Sequence, residues 1–372
     1  MSAWNSLKKL PRRARQAKKA ARIARQSALI GAGVGLGLGA AAYAARRRRM
    51  IDLVGAVVVI TGGSRGLGLA LAEECARRGA NVAICARDRM ELDSAKQQIE
   101  RKFGVEVLAE VCDVSNNDDV EEFLTAVLSR FGAVDVLINN AGFISVGPVE
   151  SQTLTDYQQA MDVMYWGVVY PTLTILPHMK ARRQGRIANI ASIGGKIAVP
   201  HLVPYDAAKF AAVGFSEGIR AELRKDGIRV TTVCPGLMRT GSHLNAYFKG
   251  KHHREFAWFS FGATAPLISI DARRAARKIV DAVCAGDAEL VITPQAKMAA
   301  AFHGLFPGFT TDLLGFVNRL LPAAAEGSDR RIRHSGRDSQ TRLTRSFLQG
   351  LGRRAARELN QNAQGGSVRN VS

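Results

Sequence analysis

The chain has 372 residues, of which 47% are hydrophobic and 23% charged, and this apolar content excludes a chain that is disordered throughout. Its five cysteines are an odd number with no Cys-x-x-Cys spacing, which excludes a disulfide-stapled secreted scaffold and indicates a reducing compartment. The formal charge of +20 resides in the two ends: residues 1–50 carry 13 basic residues and no acidic one, and residues 327–372 have a net charge of +7. The remainder is neutral overall, so the charge belongs to tails and does not favour a nucleic acid as the partner of the core.

The first 50 residues predict a basic tail followed by a membrane anchor. Residues 1–27 are basic, and residues 28–45 form an uncharged run of 18 that ends at Arg46–Arg49. As a helix this run would measure about 27 Å, just short of a hydrocarbon core of about 30 Å. Its overlapping Gly-xxx-Gly spacings suit packing in lipid, and the arginines suit an interfacial anchor. We therefore expect residues 28–50 to bind a membrane, with the rest of the chain on the cytoplasmic side. A flexible linker in a cytoplasmic protein is the alternative.

From residue 51 to residue 294, short β-branched runs alternate with helical patterns, which is typical of a doubly wound parallel sheet. Seven strands are predicted at Ala56–Thr61, Asn81–Ala86, Val105–Cys112, Val134–Asn139, Arg186–Ala191, Ile228–Cys234 and Glu289–Ile292. Helices are predicted to begin near Gly66, Met90, Asn117, Thr153, Val203 and Asp271. We predict an α/β fold of the Rossmann type, with three layers in a single domain that has basic extensions at both ends.

The sequence after this domain predicts two further segments. Residues 295–325 are rich in Phe, Leu and Ala and predict an apolar helical extension, interrupted at Pro307 and Gly308. A helix packed on its own domain is favoured there over a membrane contact. Residues 326–372 are polar, rich in arginine and punctuated by glycine, which predicts a mobile tail.

A glycine-rich turn follows the first predicted strand directly. Its sequence is TGGSRGLG, from Thr61 to Gly68, and a helical pattern follows it. Glycines at a strand-to-helix turn let backbone N–H groups and the helix N-terminus approach a pyrophosphate. In this position the turn predicts dinucleotide binding.

Tyr205 and Lys209 are four residues apart in a predicted helix, so their side chains share one face. A free phenol has a pKa of about 10, and a neighbouring ammonium favours the phenolate and lowers that pKa. The pair therefore predicts a general acid for carbonyl reduction, or a general base for alcohol oxidation. An ordinary amphipathic helix would explain the pair alone, but together with Ser192 and the glycine turn we favour catalysis.

Several elements in order resemble the short-chain dehydrogenase/reductase superfamily. The glycine turn has the GxxxGxG spacing of that family, Asp113 follows the third predicted strand, and NNAG ends the fourth at Gly142. Ser192 follows the fifth strand and precedes a YxxxK motif by thirteen residues, and a Pro-Gly turn leading to Thr240 follows the sixth. The resemblance implies a nicotinamide-dependent oxidoreductase, similar to membrane-anchored hydroxysteroid dehydrogenases, and a homodimer or homotetramer.

The resemblance also implies the role of each matching residue. It implies catalytic roles for Ser192, Tyr205 and Lys209, with substrate contacts from Ser192 and Tyr205. Contacts to the cofactor are implied for Thr61, Gly62, Ser64, Arg65, Gly66, Leu67, Gly68, Arg87, Asp113, Val114, Asn140, Ala141, Gly142, Tyr205, Lys209, Pro235, Gly236 and Thr240.

One position departs from the family pattern. Met164 stands where the family usually carries an asparagine that supports a water-mediated proton relay from the lysine. A thioether is only a weak hydrogen-bond acceptor and cannot hold such a water comparably. A second hypothesis is therefore a protein that binds the cofactor with weak or no catalysis. A third hypothesis is a binder of nucleic acid or an anionic surface through the basic ends.

The type of cofactor and substrate is predicted from two regions. Arg65 lies in the glycine turn and Arg87 just past the second strand, and arginines there suit a 2′-phosphate, so we expect NADP(H) over NAD(H). Solvated surface arginines are the alternative. Residues 243–262 contain six aromatic side chains, which predict a lid over an apolar carbonyl or alcohol. No carboxylate or cysteine is spaced to join His243, His252 and His253 in a metal site.

Overall fold

A seven-stranded, wholly parallel sheet forms the centre of the computed structural model, which describes residues 41, 43–264, 269–341 and 358–361. Its strands are β1 Val57–Thr61, β2 Asn81–Ala86, β3 Val107–Val111, β4 Val136–Asn139, β5 Gly185–Ile190, β6 Ile228–Cys234 and β7 Glu289–Val291. The spatial order is β3-β2-β1-β4-β5-β6-β7. The chain reverses its direction of winding between β1 and β4, so ligand-binding residues are expected outside the carboxyl ends of these two strands.

Helices cover both faces of the sheet. They are α1 Gly66–Arg77, α2 Arg89–Phe103, α3 Asn117–Phe131, α4 Leu154–Met161, α5 Gly167–Arg182, α6 Val203–Leu223, α7 His252–Thr264, α8 Ala272–Ala285, α9 Pro294–Leu305 and α10 Pro307–Asn318. Side chains of β1 alternate between the two faces, as strand geometry requires. Val58 and Ile60 pack in one core with α1, α2 and α8, and Val57 and Val59 in the other with α3, α5 and the end of α6. The predicted fold class and all seven strands are confirmed.

A π-helical turn at Asp162–Trp166 joins α4 to α5, and the sequence pattern did not predict it. The helix pattern was right on either side of this turn, and α4 begins with a capping box in which Thr153 and Asp156 satisfy each other's backbone groups. A π-helical turn of five residues is too short to show a periodicity of its own, so it has no clear sequence signal. Such turns are frequent at functional sites.

The ends of the chain are described only in part. Residues 43–49 are helical, and most of the predicted anchor lies outside the described residues. None of the helices formed by the described residues is long and apolar enough to cross a bilayer.

The expectations for residues 295–341 need two corrections. The extension is helical, but several of its large apolar side chains are left uncovered by the described residues: Phe302, Phe309 and Phe316 are 43%, 62% and 59% exposed. The first part of the predicted mobile tail is also ordered. Residues His334–Ser335 pair with Tyr247–Phe248, and Arg333 forms an ion pair with a buried carboxylate. Polar composition suggested mobility, but long-range pairing holds this part of the tail in place.

Candidate functional site

The glycine turn connects β1 to α1 in a conformation that requires glycine. Gly62 and Gly66 have φ values of 64° and 59°, in the left-handed region. A Cβ on Gly68 would lie 2.0 Å from the Gly62 carbonyl oxygen, so no larger residue fits there. The glycines therefore bring no side chains of their own to the N-terminus of α1, where the helix dipole favours an anion.

Hydrogen bonds tie this turn to the end of β4. Thr61 Oγ1 accepts from the backbone N–H groups of Asn140 and Ala141 at 3.0 and 3.1 Å. In return, Asn140 Nδ2 donates to the Thr61 and Gly62 carbonyl oxygens at 3.0 and 3.1 Å. The TGGSRGLG and NNAG segments thus form one unit at the point where the winding of the sheet reverses.

The two arginines predicted to select the cofactor lie in different surroundings. Arg65 Nη1 donates to Glu91 Oε1 at 2.9 Å, and Ser64 Oγ donates to Glu91 Oε2 at 3.0 Å. Arg87 is more exposed and lies 3.9 Å from a carboxylate oxygen of Asp113. Sequence reasoning missed Glu91, which is 4% exposed on the first turn of α2. Its only sequence signal was its place three residues after Asp88, the residue that caps α2.

The remaining residues of the cofactor set lie around the same edge of the sheet. Asp113 accepts hydrogen bonds from the backbone and side chain of Ser115, at 3.0 and 2.7 Å. Val114 packs so closely on the start of α5 that a Cβ on Gly167 would lie 2.7 Å from its Cγ2. Leu67 is buried in the first turn of α1.

A short segment near the carboxyl end lies against the glycine turn, and the sequence did not predict it. The Gly66 N–H donates to the Leu359 carbonyl oxygen at 2.9 Å, and Asn360 Nδ2 donates to the Ser64 carbonyl oxygen at 3.2 Å. A Cβ on Gly66 would lie 2.5 Å from Gln361 Nε2. Leu359 is 2% exposed, so the contact is buried. One N–H group at the N-terminus of α1 is therefore already bonded within the chain.

Ser192, Tyr205 and Lys209 meet at the end of β5. Tyr205 and Lys209 lie one turn apart on α6, and Lys209 Nζ is 5.9 Å from the centroid of the Tyr205 ring. Lys209 is 4% exposed and donates to the Ile190 carbonyl oxygen at 2.8 Å. Ser192 Oγ accepts from the Gly194 N–H at 3.0 Å, and the Ser192 side chain hydrogen-bonds to the Tyr205 phenol. The structure brings all three predicted catalytic residues together.

Burial controls the protonation of this group. It raises the pKa of Tyr205 to about 12, although the hydrogen bond with Ser192 acts in the opposite direction. Burial also lowers the pKa of Lys209 to about 8. The expected lowering of the tyrosine pKa by the lysine is not seen for these residues alone, because burial raises that pKa and Lys209 is not among the groups that lower it.

Asp206, next to Tyr205, is a buried carboxyl group that sequence reasoning missed. It is 1% exposed, and its Oδ2 accepts from the Val199 N–H at 2.6 Å. Its other oxygen has no hydrogen-bond partner among the described residues. Burial raises the pKa of Asp206 to about 8. The hydrogen bond connects the loop at Val199 to the helix that carries the tyrosine.

Met164 lies in the π-helical turn and faces the same centre. It is fully buried and packs with Ala160 and Ala208. A Cβ on Gly142 would lie 3.5 Å from Met164 Cγ and 3.6 Å from Lys209 Nζ. The thioether, the NNAG segment and the lysine are thus direct neighbours, at the place where the family usually carries its asparagine.

The Pro-Gly turn after β6 closes the other side of the site. The Pro235 carbonyl oxygen accepts from the Ile193 N–H at 2.8 Å, one residue beyond Ser192. A Cβ on Gly236 would lie 3.0 Å from Thr293 Oγ1, just before α9. Thr240 is 3% exposed, and its Oγ1 accepts from the Ser242 N–H.

The aromatic segment beyond this turn is mostly packed and not an open lid. Phe248, Phe256 and Phe259 form a buried cluster with Val146 and Leu202. Tyr247 and Trp258 are half-buried and Phe261 is 57% exposed. Buried His201 contacts buried Glu255 at 2.9 Å, which ties this segment to the loop before Tyr205.

The histidines of the segment are used for packing and hydrogen bonding. Burial lowers the pKa of His243 to about 4. His252 stacks on His334 with ring centroids 3.8 Å apart, and its ring is tilted against that of His253 at 3.9 Å. Within the described part of the chain, no group of three or more His, Cys, Asp or Glu side chains is placed to hold a metal ion.

Comparisons with known proteins agree with this geometry. The family model of short chain dehydrogenases matches residues 56–247. The chain is 36% identical to a putative oxidoreductase SadH of Mycobacterium tuberculosis over 251 residues, which cover 67% of this chain and 90% of that protein. It is 31% identical over 283 residues to an 11-beta-hydroxysteroid dehydrogenase A of Sesamum indicum, covering 74% of this chain and 78% of that one.

A solved structure supports the same conclusion. L-sorbose reductase of Gluconobacter frateurii, complexed with NADPH and L-sorbose, has a TM-score of 0.59 and 28% identity, covering 65% of this chain and 97% of that one. The chain belongs to the short-chain dehydrogenase/reductase family, and it is an NAD(P)-dependent oxidoreductase of that family. Gly62, Gly66 and Gly68 bring no side chains of their own to this turn, which fits a nicotinamide dinucleotide, and the Gln361 side chain lies against Gly66.

Proposed function

We propose that the protein is an NADP(H)-dependent oxidoreductase that interconverts a carbonyl group and a secondary alcohol on an apolar substrate. The observation that carries this proposal is the meeting of Ser192, Tyr205 and Lys209 beside Gly142. The test is NADPH oxidation by the full chain with a panel of apolar ketones and aldehydes. We expect turnover with at least one class, and tight NADPH binding without any turnover would contradict the proposal.

The proposed mechanism assigns one task to each side chain. The bound nicotinamide supplies or accepts the hydride. During reduction the Tyr205 phenol donates its proton to the substrate oxygen, and the Ser192 hydroxyl donates a hydrogen bond to the same oxygen as negative charge develops there. The ammonium form of Lys209 stabilises the phenolate that remains, and its buried position makes this attraction strong. In the oxidation direction Tyr205 accepts the proton.

Arg65 and Arg87 are proposed to select NADP(H). Both can form charge-assisted hydrogen bonds to a 2′-phosphate, and Glu91 holds the Arg65 guanidinium in place. The NADPH bound to L-sorbose reductase supports a phosphorylated cofactor. We expect Arg87→Ala to weaken NADPH binding about tenfold and NADH binding less than twofold, with Arg101→Ala as the exposed control. Equal losses for both cofactors would contradict the assignment.

Substrates with an apolar body, such as a steroid, retinoid-like, long-chain or polyketide-type carbonyl, suit the aromatic segment after β6. The partly exposed rings of Tyr247, Trp258 and Phe261 are the groups available to contact such a body. The steroid named for the Sesamum indicum relative supports this class.

A second candidate function is cofactor binding with weak or no catalysis, and Met164 is the observation that favours it. Its thioether fills the space beside Gly142 and Lys209 where a relay water would need a polar anchor. If the relay limits turnover, Met164→Asn should raise kcat at least tenfold. Met164→Leu is the matched control for packing, and an unchanged kcat in an active enzyme would show that this position does not limit the reaction.

Residues 28–49 are proposed as a membrane anchor, with the catalytic domain on the cytoplasmic side; without it the protein would be cytoplasmic. Their uncharged run and Arg46–Arg49 support this placement. The anchor is tested by deleting residues 1–50 and measuring how much of the protein sediments with membranes. Unchanged sedimentation would contradict the assignment of residues 28–49 as the anchor.

A homodimer or homotetramer is proposed from the family resemblance, and the exposed Leu173 and Phe210 on α5 and α6 support it.

A further inference from the structure

The α9–α10 hairpin exposes large apolar side chains that the described part of the chain does not cover. Met298, Phe302 and Leu305 recur along α9 at the spacing of one helix face and are 73%, 43% and 74% exposed. A second stripe, 38% to 77% exposed, follows α10 and the turn after it through Phe309, Leu313, Phe316, Val317 and Leu320.

The two stripes join at the corner of the hairpin. The ring centroids of Phe302 and Phe306 are 5.2 Å apart, and those of Phe302 and Phe309 are 5.9 Å apart. At about 200 Å² of surface for a phenylalanine, the four phenylalanines of the hairpin leave roughly 400 Å² exposed. An apolar patch of this size is as large as the largest patch on a typical soluble protein, and such patches are often functional.

The dimensions and charge of the hairpin suit the surface of a bilayer. Each helix has 12 residues and measures about 18 Å, too short to cross a hydrocarbon core of about 30 Å. Thr311 and Asn318 lie on the α10 face opposite its apolar stripe, so the helix is amphipathic, whereas Asp312 lies beside the stripe, one turn from Phe309 and Phe316. Lys297 and Arg319 are exposed at the two ends of the hairpin and outnumber Asp312, the one acidic residue of residues 294–320, which favours anionic lipid.

The base of the hairpin adjoins the candidate active site. Ala296, in the first turn of α9, packs with Ala191 and Ile193, the two neighbours of Ser192 in the chain. The same turn contacts Gly236 of the Pro-Gly turn. We propose that the α9–α10 hairpin inserts its apolar stripes into an anionic bilayer surface and so holds the active-site entrance where apolar substrates dissolve. The part of this inference that concerns substrate entry rests on the proposed function.

Partition of the full chain onto vesicles tests the hairpin without cofactor or substrate, so its result is independent of catalysis. On phosphatidylcholine vesicles with 30 mol% phosphatidylglycerol, we expect the triple variant Phe302→Ser, Phe309→Ser, Phe316→Ser to bind at least tenfold more weakly than the unsubstituted chain. The control is Val54→Ser, Met90→Ser, Leu154→Ser, three residues that are 73%, 83% and 82% exposed elsewhere. Equal binding by both variants would overturn the proposal.

A local probe separates insertion of the hairpin from attachment through the N-terminal segment. Tryptophan in Phe309→Trp should be quenched by brominated phosphatidylcholine beyond the quenching of the unsubstituted chain, whereas Met90→Trp should show no added quenching. Absence of added quenching at position 309 in vesicle-bound protein would overturn the proposal. Sedimentation velocity gives a second way to overturn the proposal. If the unsubstituted chain is a dimer and the triple variant is a monomer with unchanged vesicle binding, the hairpin is an interface between copies of the chain.

Discussion

The helices α8 and α10 lie close together in the chain but in opposite environments. In α8, Ala275, Ile279 and Val283 are at most 2% exposed, because they pack against α1 and the central sheet. In α10, Phe309 and Phe316 are 62% and 59% exposed. An apolar stripe therefore predicts that a helix face needs a partner, but not whether that partner belongs to the same chain. Substitutions in the Rossmann domain should change activity and stability, and substitutions in the α9–α10 hairpin should change neither when no membrane is present.

The largest expected effect is on kcat, from substitution of Tyr205, the proposed general acid in the Rossmann domain. Tyr205→Phe removes the proton donor while keeping the ring, so kcat should fall roughly 10²–10⁴-fold. Stopped-flow measurement of NADPH oxidation checks this, and vesicle partition should be unchanged. Tyr170→Phe, which keeps a ring stacked on Trp166, is the control. A reductase rate within twofold of the unsubstituted enzyme would refute the proposed acid.

A pair of truncations compares the two helices directly. Ile279→Ala in α8 leaves a cavity in the core and should lower the free energy of unfolding by about 2–5 kcal/mol. Phe316→Ala in α10 removes a larger but exposed side chain and should change it by less than about 0.5 kcal/mol. Urea unfolding monitored by circular dichroism measures both. Comparable losses would mean that the hairpin packs on the domain in solution.

The pH dependence of the free energy of unfolding should show that Asp206 is buried in the Rossmann domain. Burial raises its pKa from the ordinary aspartate value of 3.8 to about 8, so the folded state binds its proton more tightly than the unfolded chain does. The stabilisation is complete at low pH and is lost as the pH rises through this interval. Asp206→Asn should therefore lose less stability than the unsubstituted chain between pH 5 and pH 8, as followed by the urea midpoint. Asp312→Asn on the exposed hairpin should reproduce the unsubstituted curve.

The smallest expected effect is on the Kd for NADPH, from removal of the segment near Leu359 that lies against the glycine turn. Ending the chain after Thr341 removes the Leu359 carbonyl from the Gly66 N–H and frees that donor. The Kd for NADPH should then fall about threefold to tenfold, in line with the release of one hydrogen bond of about 1 kcal/mol. Isothermal titration calorimetry measures it. A chain ending after Gln361, which keeps the contact, is the matched control, and identical Kd values would show that the segment does not compete with the cofactor.

The sequence by itself determined the sheet, because alternating β-branched runs and helical periods report which faces must be buried. It also placed the glycine turn, the NNAG segment and the YxxxK pair in order along the chain. These are local signals: the turn between Gly62 and Gly68 needs glycine whatever surrounds it, and a tyrosine and a lysine four residues apart always share a helix face.

Only the tertiary structure decided how distant groups act on one another. It placed Glu91 against Arg65, left one Asp206 oxygen buried without a partner among the described residues, and brought Met164 beside Lys209. It also showed that the α9–α10 hairpin is uncovered in the described chain and that Leu359 reaches Gly66. The physical reason is that desolvation and pairing depend on neighbours far away in the sequence, and periodicity carries no record of which surfaces meet.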